Sequence, residues 1–186
     1  MHLSQMPKLL VSFDDGWDEL IRARPTVLRL FALLVLPMSI LPPVMIYYAG
    51  NHYGQIFFHS ITPRHWHIVA LIFFFAELLT VPAMASMMRL ACRAIDVRVG
   101  YRECYTLAAL APIPMWISSL VLIVPDLTVC VLGGGLGLLC SLALTYRGMY
   151  ALFRVRENLR AMEMATVVTG AGLLAWLVLM LIVMTH

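Results

Sequence analysis

Four stretches of this chain contain no Asp, Glu, Lys or Arg: Leu30–Pro63, Cys104–Pro125, Leu127–Tyr146 and Met164–His186. A fifth, His65–Met88, holds a single charge, Glu77. A helix of about 20 residues crosses a hydrocarbon core of about 30 Å, and each stretch reaches that length. Inside such a core the backbone must satisfy its own polar groups, which a helix does within one segment. Composition agrees: 62% of residues are hydrophobic and 12% charged, against roughly 45–50% and about 25% in soluble domains. The fold class expected is an all-α integral membrane protein, a five-helix transmembrane bundle with proline-kinked helices and a short N-terminal amphipathic segment.

The linkers between these stretches assign a direction. Lys8, Arg22, Arg24 and Arg29 precede or open the first span. Arg89, Arg93, Arg98 and Arg102 join spans two and three. Arg147, Arg154, Arg156 and Arg160 join spans four and five. Only Arg64 falls on the other side, so twelve of the thirteen basic residues share one face. Basic residues stay on the cytoplasmic side, which predicts a cytoplasmic N-terminus and an external C-terminus. Topology explains the net charge of +3, so no nucleic-acid partner is expected. The same arginines could bind anionic headgroups, at about 1 kcal/mol per basic residue near the surface, or do no more than set topology.

Two regions divide the chain: a cytoplasmic leader, residues 1–26, and a transmembrane domain, residues 27–186. The spans are expected at about 27–49, 66–90, 104–124, 127–148 and 164–184. In the leader, Leu9, Leu10, Phe13, Trp17, Leu20 and Ile21 recur as one helix face, with Asp14, Asp15, Asp18, Glu19 and Arg22 opposite. Such a helix suits the membrane interface. A tail that orders only against the bundle is the plainer reading. No small-residue cleavage pattern follows the first span, so no signal peptide is read. An outer loop is expected over residues 50–65, with Tyr47, Tyr48, Tyr53, Phe57, Phe58 and Trp66 forming an interfacial belt. Cys92 and Cys104 are expected at the cytoplasmic face, Cys130 and Cys140 within span four, and hence no structural disulfide.

Proline removes a backbone donor and kinks a helix. Pro37, Pro82, Pro112 and Pro114 are therefore expected to break their helices, with a distorted outer end near Pro42 and Pro43. Span four carries Gly133, Gly137, Ser141 and Thr145 four apart, widened by Gly134 and Gly135, and span five carries Thr169, Gly172 and Ala175. Such stripes let helices approach closely, either within the chain or against a second copy in a homo-oligomer.

Glu77 stands out because topology does not explain it. An acid at the centre of a membrane helix costs about 2.5–3.5 kcal/mol on insertion scales. Its expected neighbours are polar neutrals: Thr80, Ser118, Ser119, Trp116 or backbone freed by Pro112. One reading is a proton or cation site facing a cavity, in a small channel or transporter. The other is a neutral carboxyl tying helices together. Five of the six histidines fall on the outer side. His52, His59, His65 and His67 could gather around Zn, Ni or Cu, although unliganded interfacial histidines are the commoner case. Otherwise no cofactor is expected. The phosphate-loop, Ser–His–Asp and His-x-x-x-His signatures are absent, so no enzyme is expected.

The run Tyr105 to Trp116, with Pro112 and Pro114, then Pro125, then Tyr146-Arg-Gly148-Met-Tyr150 leading to Arg154 and Arg156, resembles the Yip (Ypt-interacting protein) domain family. The resemblance is densest over residues 101–172. It implies a five-helix integral membrane protein with a cytoplasmic N-terminus. Eukaryotic members reside in Golgi and endoplasmic-reticulum membranes and contact Rab-type GTPases. They also carry a longer N-terminal region and an Asp-Leu-Tyr-Gly-Pro element, which this chain lacks. The chain is therefore similar to a short bacterial-type member, for which a Rab-type GTPase is not expected. The sequence reading is a multi-pass protein of a bacterial inner membrane that organises lipid or a protein partner through its basic face.

Overall fold

The computed structural model describes residues 24–57, 63–94 and 97–153, with Thr166, Gly170 and Gly172; at 55–57 and 63–65 it describes the backbone alone. The leader up to residue 23 and nearly all of the fifth expected span lie outside these residues. Every regular element among the described residues is helical. Four helical spans are long and apolar enough to cross a membrane: Val27–Gly54, Trp66–Ala94, Tyr101–Ile123 and Leu127–Phe153. At about 1.5 Å per residue, the shortest, with 23 residues, still exceeds a hydrocarbon core of about 30 Å.

Prolines decide the inner structure of the first and third spans. The first opens as α1 (Val27–Leu30), whose N-cap Thr26 accepts a hydrogen bond from the Arg29 N–H at 3.4 Å. A π-helical turn, Phe31–Val35, follows, then α2 (Leu36–Ser39). In that turn the Leu36 N–H reaches back to the Phe31 carbonyl. This wider winding relieves the clash that the Pro37 ring would make with the carbonyl four residues earlier. After Ile40 a new helix, α3 (Leu41–Phe57), begins with Pro42 and Pro43 in its first turn, where the missing N–H groups are not needed. The third span divides into α5 (Tyr101–Leu110), α6 (Ile113–Ser118) and a 3-10 segment, Ser119–Ile123. It resumes beyond Pro112, with Pro114 in the first turn of α6.

Pro82 corrects the sequence expectation. It lies inside α4 (Pro63–Ala94), which runs through it without interruption. A lone proline removes one ladder hydrogen bond, and the turns on either side keep theirs; the Ser86 hydroxyl donates to the Pro82 carbonyl at 2.9 Å. The helices also reach further than expected. α4 extends to Ala94 and α7 (Leu127–Phe153) beyond residue 148. Residues 50–57 and 63–65, expected in a loop, are helical. Near the end of α3, Asn51 donates to the Tyr47 carbonyl and His52 to the Tyr48 carbonyl, both at 2.9 Å. These polar side chains thus support the helix instead of ending it.

The third span is the hub. α5 packs against α1, α4 and α7, while α6 and the 3-10 segment pack against α3 and α7. Its most apolar stretch is 44% buried, against 33% for the first span and 11% for each of the other two. The buried cluster is weighted toward one end. It joins Leu30, Leu34 and Val35 to Val81, Ala85, Met88 and Cys92 of α4, to Cys104, Tyr105 and Leu107 through Leu110 of α5, to Ile113 and Trp116 of α6, and to Leu144, Met149 and Phe153 of α7. Arg29, Arg89, Arg93, Arg98, Arg102 and Arg147 occupy the same helix ends, hereafter the basic end.

Candidate functional site

Three groups of side chains carry the chemistry this bundle can offer. The first surrounds Glu77, half-buried on α4. Depth matching brings it to Trp116 of α6, which is only 2% exposed and whose indole N–H donates to the carboxyl. The other carboxyl oxygen, Oε2, is enclosed and meets no donor among the described residues. The hydroxyls expected beside it turn elsewhere. Thr80 donates to the Ala76 carbonyl at 2.6 Å, Ser118 to Met115 at 2.8 Å and Ser119 to Trp116 at 2.6 Å. Each is a contact within its own chain turn, the local competition that draws Ser and Thr away from tertiary partners. A carboxyl with one donor and one enclosed, unanswered oxygen can tie α4 to α6, and it can also take up a proton or cation.

The second group is the small-residue stripe of α7, and it faces the third span. A Cβ on Gly137 would lie 2.6 Å from Ser118 Cβ and 3.1 Å from the Pro114 carbonyl oxygen, and one on Gly133 would lie 2.6 Å from Val121 Cγ2. Ser141 donates to the Ala111 carbonyl at 2.6 Å, so the stripe answers backbone exposed at the proline break, as a bilayer requires. Thr145 donates to the Ser141 carbonyl at 2.8 Å. Gly134 and Gly135 meet nothing within 4 Å. Gly172 comes near α4: its Cβ would lie 3.7 Å from Met84 Cε.

The third group is the basic end, where the arginines divide by task. Arg102 Nε donates to the Pro25 carbonyl at 2.8 Å, fastening the third span to the approach of the first. Arg89 lies beside Cys104, its Nε enclosed without an acceptor among the described residues. Arg147 is half-buried on α7. Arg93 and Arg98 are exposed and border an open depression of about 440 Å³ with Val97, Val99 and Gly100. Arg154, Arg156 and Arg160 lie outside the described residues. Cys92 and Cys104 are fully buried free thiols and neighbours across α4 and α5.

At the opposite end, His52 stacks on Tyr48 with ring centres 4.1 Å apart, and His67 tilts against Tyr47 at 4.5 Å. The side chains of His59 and His65 lie outside the described residues, and among those described no three His, Cys, Asp or Glu gather in metal-binding proximity. Two contacts that the sequence reading missed fasten this end. Trp66 lies in a notch formed by Gly50 and Gly54, where a Cβ on Gly54 would come within 2.8 Å of Trp66 Cζ2. The Tyr53 hydroxyl donates to the Leu122 carbonyl. The four-residue spacing of Gly50 and Gly54 was the available signal.

A family model described as the Yip1 domain matches residues 8–182. No curated protein and no solved structure matches the chain.

Proposed function

The chain belongs to the Yip1 domain family, and from that premise we propose that it is a non-enzymatic, multi-pass protein of a bacterial inner membrane that organises anionic lipid through its basic end. One observation carries the reading: the densest packing and the exposed arginines share the same helix ends. A firm scaffold there holds Arg93 and Arg98 at the level where the spans leave the hydrocarbon, and each basic residue near an anionic surface contributes about 1 kcal/mol. The N-terminus is then cytoplasmic and the C-terminus external. Protein partners that recognise the same end, and a second copy of the chain, are compatible with this role; a Rab-type GTPase is not carried over from eukaryotic members. The test is lipid analysis of the protein extracted from mixed bilayers with a polymer that retains surrounding lipid. Enrichment of phosphatidylglycerol over phosphatidylcholine that fades as salt is raised supports the role, and recovery of the two lipids in bulk proportion opposes it.

A second reading, a small proton- or cation-linked channel or transporter, is favoured by Glu77 Oε2, enclosed at mid-span without a donor among the described residues. Proton flux in proteoliposomes that is abolished by Glu77→Gln would establish it. A Glu77→Gln protein that folds normally, with wild-type and variant vesicles equally tight, leaves Glu77 as a tie between α4 and α6. A metal bound at the outer histidines is a minor third reading, tested by Zn or Ni binding that is lost when His65 and His67 are both replaced.

A further inference from the structure

The depression between α4 and α5 has walls fixed by the fold. The Val97 N–H donates to the Cys92 carbonyl at 2.9 Å, turning the chain back over the end of α4. Val97 and Val99 then pack against the buried cluster, which leaves Arg98 between them exposed. Arg93 reaches the same space from the last turn of α4. Gly100 closes it as the N-cap of α5, with no side-chain cap of its own. The volume, about 440 Å³, falls within the range of roughly 300–1,000 Å³ typical of small-ligand sites.

The charges in this space are unevenly answered. Among the described residues, neither Arg93 nor Arg98 makes an ion pair. The linker's acids are Asp96, outside those residues, and Glu103. The Glu103 carboxyl lies against Gly100, where an added Cβ would be 3.4 Å from Glu103 Cδ; the first-turn N–H groups of α5 favour an acid there. Among the described residues, the two guanidinium groups remain without a carboxylate. A guanidinium presents forked donors that match the oxygens of a phosphate, and the valines supply apolar surface beside them.

We propose that this depression binds one phosphate-class oxyanion per chain, with Arg93 and Arg98 as its donors. The assignment rests on the reading that the basic end meets anionic lipid, and it narrows that reading from a diffuse attraction to a single site. The oxyanion has two available sources, the phosphodiester of a lipid headgroup and free phosphate.

The test uses the full chain in nanodiscs and two double variants that remove equal charge from the same end: Arg93→Gln with Arg98→Gln, and Arg24→Gln with Arg29→Gln outside the depression. In phosphatidylcholine discs containing phosphatidylglycerol, native mass spectrometry reads the lipid retained per chain. In phosphatidylcholine discs with inorganic phosphate, the phosphorus-31 line width reads free phosphate. The expected result is one phosphatidylglycerol retained by the wild type and by the Arg24/Arg29 variant, and at least tenfold less by the Arg93/Arg98 variant. Phosphate broadening lost only in the Arg93/Arg98 variant, without retained lipid, supports the site and assigns it to free phosphate. Equal loss of lipid in both variants, with no phosphate broadening, overturns the site and leaves the broader reading standing. No phosphatidylglycerol excess and no broadening in the wild type overturn both. Should the Arg93/Arg98 variant fail to fold, Arg93→Lys with Arg98→Lys keeps the charge and removes the forks. At least threefold weaker binding of either ligand than in the wild type then supports the site, and unchanged binding overturns it.

Discussion

The two ends of the bundle are built on different principles. At the basic end, α1, α4, α5 and α7 share one cluster in which Val35, Ala85, Met88, Leu107, Ala109 and Met149 are almost wholly enclosed. The load is distributed, and small residues such as Ala85 and Ala109 let backbones approach closely. At the opposite end, the third span loosens into a 3-10 segment with no buried residue. That end is fastened by close approaches and individual contacts: Gly133 of α7 against Val121, Trp66 in its glycine notch, and Tyr53 on the Leu122 carbonyl. The contrast within one span teaches where packing originates. α5 has seven consecutive buried residues, Cys104 to Leu110, and Ile113, Pro114 and Trp116 stay buried, whereas beyond Trp116 the same span has Ile117, Leu120 and Ile123 exposed.

Substitutions can break this contrast, and the largest effects come first. Trp66→Ala empties the glycine notch and should cost about 3–5 kcal/mol. Hydrogen exchange should show the loss at residues 47–54 and 119–124, with the basic end still protected; an even loss across the bundle would mean the ends are not separable. Leu107→Ala should cost about 2–5 kcal/mol, read as a lower unfolding midpoint in detergent, whereas Leu120→Ala, already 43% exposed, should cost below about 1 kcal/mol. Gly137→Leu forces a side chain into Ser118 and the Pro114 carbonyl and should cost about 1–3 kcal/mol. Gly135→Ala, facing open space, should stay within about 0.5 kcal/mol. A Gly137→Leu protein that stays folded but becomes monomeric would place that face between copies instead. Ser141→Ala removes the donor at the proline break and should cost about 0.5–1.5 kcal/mol, measurable as faster exchange around residues 111–115.

What the sequence makes legible follows from which properties add along the chain. Hydropathy and charge do, so the four described spans and the shared end of the arginines are visible from the residues alone. Proline effects depend on place within a turn: Pro42, Pro43 and Pro114 sit where a missing N–H is harmless, and Pro82 costs α4 only one bond. Trp116 could be named as a neighbour of Glu77 because both lie at one depth. Thr80, Ser118 and Ser119 also lie near that depth, but their hydroxyls find carbonyls three or four residues back, a local competition that depth alone does not reveal. The seat of Trp66 depends on how two helices meet, and the depression, though lined by the single run 93–100, takes its shape from the linker's turn back over α4, which hydropathy and charge do not encode.

The central claim is that the firm, arginine-bearing end is the working surface. Hydrogen exchange of the full chain in nanodiscs of phosphatidylcholine, with and without phosphatidylglycerol, tests it most directly. Exchange should slow at least tenfold over residues 97–104 when the anionic lipid is present, with residues 50–54 and 119–124 unchanged. Equal slowing at both ends, or none at residues 97–104, would contradict it.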